Sequence, residues 1–200
     1  KSPPDGYTLT TVIAAHSANP SLYPKMPFDA QHDIVPVALT GVAPLILVAN
    51  ASFPPNNVAE LVAYAKARPG QLNFGSSGKG AAAHLAMEAF MSAHGLKMQH
   101  VPYKGTQPAL TDLIGGQIQL LFDVPLSMVQ HVKAGKIKSF GVASEKRLPG
   151  YPDLNTFAEG GVPFIANTWS MILAPAKTPK EIVARLNAES NKILASAAVR

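Results

Sequence analysis

The sequence predicts an α/β protein of two lobes, and three observations predict it. Between residues 48 and 143 short apolar strands alternate with amphipathic helices across brief connections. That order demands parallel strand pairs joined by right-handed crossovers. On either side the texture turns proline-rich and irregular, and two apolar stretches, Leu45–Ala49 and Phe140–Ala143, stand where the chain would pass between lobes. The expected first lobe is discontinuous, built from 1–47 and 144–200, and residues 48–143 form the second.

The elements follow in order. Tyr7–Ile13 is β-branched and follows Asp5-Gly6, which reads as a strand. His16 to Phe28 carries Pro20, Pro24 and Pro27 and reads as loop or short helical turns. Val35–Val48 reads as two short strands broken at Gly41–Pro44. Asn57 is placed to cap a helix whose Val58, Leu61, Val62 and Ala65 fall on one face, stopped by Pro69-Gly70. A strand at Leu72–Phe74 leads to a helix from Lys79 to His94, with Gly95 as its stop. Met98–Val101 is the next strand, followed by a helix with Leu110, Leu113 and Ile114 that ends at Gly115-Gly116. Ile118–Phe122 reads as strand, Ser127–Ala134 as a short helix and Ile137–Ala143 as strand. An irregular passage then runs to a strand at Ser170–Ala174. Thr178-Pro179-Lys180-Glu181 has the pattern of a capping box with Pro at N1, and Ile182, Val183, Leu186, Ile193 and Leu194 supply a stripe to bury.

Composition narrows the function classes. Apolar residues make up 47% and charged residues only 14%, so the chain folds into globular units. No apolar run approaches the roughly 18 residues needed to cross a bilayer. The net charge of +5 is spread along the chain without an Arg/Lys stripe, which gives nucleic-acid binding little support. There is no cysteine, which excludes disulfides and thiolate metal sites. The start at Lys1-Ser2-Pro3 and the helical ending at Ala198-Val199-Arg200 read as cut ends, so localisation is not legible there.

The most informative stretch is Gly75-Ser76-Ser77-Gly78-Lys79-Gly80, which leads from a strand into an Ala-rich helix. Backbone N–H groups at such a helix start point at one spot, where the helix dipole favours an anion. Lys79 is followed by Gly80 rather than Ser or Thr, so this is no nucleotide P-loop. It also fails the Gly-x-Ser-x-Gly spacing of a nucleophile elbow. Gly78-x-Gly80-x-x-Ala83 fits dinucleotide glycine spacing, but no carboxylate stands between Glu88 and Asp112 to hold a ribose. Such a loop reads as a receptor for a carboxylate, phosphate or similar group.

Tyr103-Lys104-Gly105-Thr106 repeats the arrangement, with Gly105 permitting close approach and Thr106 as a helix cap. Asp123 follows the strand of Leu120–Phe122 and can accept from a ligand ammonium, hold a water, or cap the next turn. His84 sits just beyond the first loop as a hydrogen-bonding helper, and the histidines show no metal-binding spacing. No Ser/His/Asp or paired-carboxylate set assembles from the sequence, and neither cofactor nor metal is expected. The chain reads as a binder, not an enzyme. The alternative is an enzyme acting on a small organic acid on the same two-lobed fold, since fold does not fix function.

Ordered motifs then carry a family resemblance. They are Pro4-Asp5-Gly6-Tyr7-Thr8-Leu9, Asn19-Pro20-Ser21-Leu22-Tyr23, Asn73–Gly78, His84-Leu85-Ala86, His100–Gly105, Asp112–Gln117, Phe122-Asp123, Lys133–Lys136, Ala174-Pro175 and Arg185-Leu186-Asn187. Together they resemble the Bug-type (TctC-like) substrate-binding receptors of tripartite tricarboxylate transporters across essentially the whole chain. The resemblance implies a monomeric periplasmic receptor of the type II, Venus flytrap architecture, closing over a small carboxylate and handing it to a membrane permease. It implies no nucleic acid and no direct membrane insertion. The matching ligand positions are Ala15, His16, Ser76, Ser77, Gly78, Gly80, His84, Tyr103, Gly105, Thr106 and Asp123. Two departures accompany it. The family's opening strand with its Pro-Gly-Gly loop and its C-terminal segment have no counterpart here, so a chain truncated at both ends is expected. Ala15 also stands where members often carry Thr or Ser.

Overall fold

The computed structural model describes residues 2–196; the helical ending read at Ala198–Arg200 lies outside them. The chain forms two compact units, one of residues 1–42 with 169–200 and one of residues 43–168. The boundaries fall within two long strands, β2 (Ile34–Pro44) and β8 (Asn167–Pro175), rather than in Leu45–Ala49 and Phe140–Ala143. The latter two segments lie inside the second unit because they are wholly apolar and both faces of its sheet are covered.

In the first unit β1 (Thr10–Ile13) pairs antiparallel with β8, and the sheet order is β1-β8-β2. β2 stays continuous through Pro36 and Gly41 because it lies at the sheet edge, where a missing N–H need not break a ladder. The segment expected to be loop or short turns contains α1 (Ala15–Leu22), an eight-residue helix with Pro20 inside. α6 (Lys180–Leu194) follows the sequence bounds, but not the expected cap or burial. Pro179 is the N-cap residue, no side chain caps the helix, and the Thr178 hydroxyl is buried with no partner among the described residues. None of its residues is fully buried and Ile193 is exposed; Val183 and Leu186 pack partly against a small core of Val37, Ala38 and Ala174.

The second unit carries the larger core. β3 (Ile46–Asn50), β4 (Asn73–Ser76), β5 (Gln99–Pro102), β6 (Leu120–Asp123) and β7 (Ile137–Val142) form a sheet of order β5-β4-β6-β3-β7. β4 runs parallel to β5 and β6, as the alternation predicts, while β3 lies antiparallel between β6 and β7. Period-two alternation sends Leu45, Leu47, Ala49, Phe74, Leu120 and Phe122 to one face and Ile46, Val48 and Leu121 to the other. α2 (Val58–Lys66) and α3 (Ala82–His94) cover the first face; α4 (Thr106–Ile114) and α5 (Pro125–Lys133) cover the second. Asn57 caps α2 as expected, accepting from the Glu60 N–H at 2.8 Å. Gly95 ends α3 in the left-handed conformation at φ 63°, which only glycine adopts without a Cβ penalty.

Residues 144–166 are irregular, as the sequence indicates, yet they belong to the second unit rather than the first. Phe157 is fully buried, stacks on Phe122 at 5.9 Å and meets Phe90 edge-on at 5.8 Å. Its N–H donates to the Val142 carbonyl, which extends the sheet beyond β7. Aromatic burial on this scale outweighs the absence of regular structure.

Candidate functional site

The connection from β4 leaves toward the α2/α3 face, while those from β5 and β6 leave toward the α4/α5 face. Adjacent parallel strands whose connections diverge open a crevice at their carboxyl ends, where open α/β sheets receive ligands. The two loops singled out by sequence meet at that edge. Gly105 donates its N–H to the Ser77 carbonyl at 3.0 Å, and Tyr103 donates its own to the Ser76 carbonyl at 3.0 Å. α3, α4 and α5 all begin there without a side-chain cap; α3 and α4 leave first-turn N–H groups available to an anion, while α5 opens on Pro125 and its Ser127 N–H donates to the Val124 carbonyl.

The glycines explain how the loop takes its shape. α3 begins three residues later than expected because Gly78 and Gly80 hold φ values of 153° and 81°, which no helix accommodates. Ser76 is fully buried beneath the turn. Its hydroxyl donates to the Gly78 carbonyl at 2.9 Å and accepts the Gly78 N–H at 3.2 Å. Ser77 and Gly78 are half-buried, Lys79 is exposed and Gly80 is buried. Gly80 donates its N–H to His84 Nδ1 at 3.1 Å, so His84 supports the loop from behind.

Thr106 does something other than the expected capping. Gly105, at φ 110°, is the N-cap residue of α4, and the Thr106 hydroxyl instead donates to Asp123 Oδ2 at 2.7 Å. Tyr103 is half-buried and its hydroxyl donates to Asp112 Oδ2 at 2.6 Å, so that hydroxyl is engaged within the unit. Burial and this bond push the phenol up to about 12. Asp123 is buried, with Oδ1 accepting the Val124 N–H at 2.7 Å. Burial lifts its carboxyl above the ordinary carboxylate range, against the opposing pull of Thr106 and Val124.

Ala15 and His16 open α1 in the first unit and are half-buried, with the His16 ring parallel to Phe28 at 6.3 Å. His100 is the residue the sequence reading overlooked. Its Nε2 lies 2.7 Å from Ser76 Oγ, and its ring stacks on His84 at 3.9 Å and on Phe74 at 5.0 Å. Burial first, then His84 and Lys79, hold its imidazole down to about 4. The parallel register pairing Phe74 with His100 is the signal that finds it. A separate groove of about 500 Å³ lies along β7, lined by Asn56, Lys138, Asn155 and Glu159, and contains none of the predicted residues. Among the described residues no cluster of three or more His, Cys, Asp or Glu side chains could hold a metal ion. No helix among them is long and apolar enough to cross a membrane.

Comparison with known proteins supplies the family. The profile described as "Tripartite tricarboxylate transporter family receptor" (TctC) matches residues 1–200. The chain is 35% identical over 202 residues to Protein BugT of Bordetella pertussis, covering 100% of this chain and 62% of that protein. It is 35% identical over 198 residues to the UPF0065 protein of the tcbD-tcbE intergenic region of Pseudomonas sp. strain P51, covering 98% and 59%. The chain thus spans about three fifths of the length of these curated relatives. Among solved structures it resembles R. palustris Rpa4515 with adipate, at 36% identity and TM-score 0.90, covering 100% of this chain and 67% of that one. MatC (Rpa3494) from Rhodopseudomonas palustris with bound malate aligns at 33% identity and TM-score 0.86, covering 100% and 68%. The periplasmic binding protein BugD aligns at 35% identity and TM-score 0.85, covering 100% and 67%. The mixed α/β architecture, with its two sheets and flanking helices, is that of periplasmic binding proteins. With the family profile matched from the first residue to the last, the chain belongs to the tripartite tricarboxylate transporter family receptors.

Proposed function

We propose that this protein is an extracytoplasmic solute receptor that captures a small carboxylate at the Ser76–Gly80 and Tyr103–Thr106 loops and delivers it to a membrane permease. One observation carries the reading: two uncapped helix starts, α3 and α4, are held together by the Gly105 N–H to Ser77 carbonyl bond. Converging N–H groups and dipole ends favour an anion. The adipate and malate in the names of the related structures are small dicarboxylates of the kind such a site would take. Lys79 and Lys104 are exposed near these loops and would add to the attraction. Ala15 and His16 remain ligand positions on the family resemblance, as do periplasmic localisation and the monomeric state.

The enzyme reading has one feature in its favour, the close approach of Ser76 Oγ to His100 Nε2. A nucleophile must reach its substrate, however, and Ser76 is 0% exposed with its hydroxyl committed to Gly78. Calorimetric titration with adipate, malate and longer acids, followed by recovery of the acid, separates the two readings. Saturable binding with the acid returned unchanged supports the receptor; steady conversion of the acid refutes it.

A further inference from the structure

The anion loop is braced from beneath by two stacked imidazoles. A backbone N–H can only donate, so the Gly80 N–H at 3.1 Å requires a lone pair on His84 Nδ1. The ring proton of neutral His84 therefore sits on Nε2, 3.4 Å from Glu88 Oε1. Ser76 has one hydroxyl proton, which serves the Gly78 carbonyl; every contact is satisfied when His100 donates from Nε2 to Ser76 Oγ. The two rings lie 3.9 Å apart, 21° from parallel, with Phe74 against both. Each ring thus fixes one end of the turn, His100 through Ser76 and His84 through Gly80.

We propose that His84 and His100 are the positioning residues of this loop, a pair that holds Ser76–Gly80 in its anion-receiving shape only while Nδ1 of His84 carries no proton. The inference deepens the carboxylate-receptor reading and rests on it for the binding it predicts. A proton added to His84 Nδ1 would set two donors against each other at Gly80, and a charged ring would face its stacked neighbour. The charged and titratable groups facing the pair are Glu88 from α3, Lys79 from the loop, and each ring toward the other. β4 contributes only Phe74 and Ser76, which do not titrate. The Glu88 side chain is 48% exposed, so its attraction for any charge on the pair is screened. The binding titration sets the loss of the Gly80 bond against the direct pull of an imidazolium on the anion.

The test has two arms. In free ¹⁵N-labelled protein, NMR follows the Gly80 amide and the His84 ring nitrogens from about pH 7.5 to about pH 5.5. The Gly80 amide is expected to move with the protonation of His84, and a scalar coupling between Gly80 N and His84 Nδ1 is expected only at the higher pH. An amide indifferent to His84 protonation overturns the proposal. The second arm titrates adipate and malate calorimetrically into the wild type, His84→Asn and His84→Leu. Wild-type affinity for the acid that binds should fall about tenfold on acidification, as should that of the Leu variant relative to wild type at the higher pH. The Asn side chain can accept from Gly80 but cannot be protonated, so it should recover most of the affinity and lose the pH dependence, which also controls for ionisation of the acids. Tighter wild-type binding at low pH overturns the proposal, as does equal pH dependence in the Asn variant. If neither acid binds the wild type at either pH, the dicarboxylate reading fails while the NMR arm still decides the role of the histidines.

Discussion

Thr106 donates its hydroxyl to Asp123 across 2.7 Å, tying the first turn of α4 to the end of β6. Asp123 is thereby fixed beside three helix starts, buried and without a cationic partner among the described residues. The folded protein holds the Asp123 proton more tightly than the unfolded chain does. Its contribution to stability is therefore greatest below the ordinary value of 3.8 and declines as pH rises through the lifted one. Asp123→Asn can keep both contacts, with its amide oxygen on Val124 and its NH2 donating to Thr106. The stability of this variant relative to wild type should rise with pH in urea titrations, and a flat difference contradicts the argument.

His100 has the opposite sign. Its ring is held down to about 4 from 6.5, so the folded state prefers it neutral. The stability it contributes is full above 6.5 and is lost as pH falls toward 4. The ring is only partly buried, so the effect is screened to on the order of 1 kcal/mol. His100→Gln places a non-titrating donor near Ser76. The wild type should lose stability relative to this variant as pH falls from 6.5 to 4, and parallel pH profiles refute the assignment.

Phe157 tests the assignment of the irregular passage to the second unit. It is fully buried between Phe90, Phe122 and Phe164. Phe157→Ala should cost about 3–5 kcal/mol, as much as Phe90→Ala, in chemical denaturation. A loss under about 1 kcal/mol would mean that this segment is only loosely attached.

The spacing puts Thr178 at the cap of α6, but its hydroxyl is buried and unpaired among the described residues. Thr178→Val removes a polar group that gains nothing from burial and keeps the side-chain shape. The variant should be equal to or more stable than wild type, by up to about 1 kcal/mol in urea denaturation. A loss of that size would show that the hydroxyl has a partner.

The sequence revealed the parts of this fold that are encoded locally. Asn57, Gly95 and the alternation from β4 to β7 are decided by neighbours a few residues away, and they stand where the spacing puts them. The edge position of β2 was not legible, because whether Pro36 breaks a strand depends on which side of that strand has a partner. Nor was the antiparallel insertion of β3, since an apolar run buried on both faces carries no direction. At the site, the glycine loop could be read from composition. The bond between Thr106 and Asp123 spans 17 residues and the one between Ser76 and His100 spans 24, and both depend on strand register. Local cap logic assigned Thr106 to its own helix, while tertiary contact gave its hydroxyl to a buried carboxylate.

If the paired helix starts receive a carboxylate, melting temperature across a panel of small acids and their amides reads it out. At a hundredfold excess over its dissociation constant a ligand adds about 2.7 kcal/mol, a shift of several degrees. One or more acids should stabilise the protein, and the matching amide should not. Equal stabilisation by acid and amide, or by neither across the dicarboxylates and tricarboxylates, would contradict the carboxylate reading.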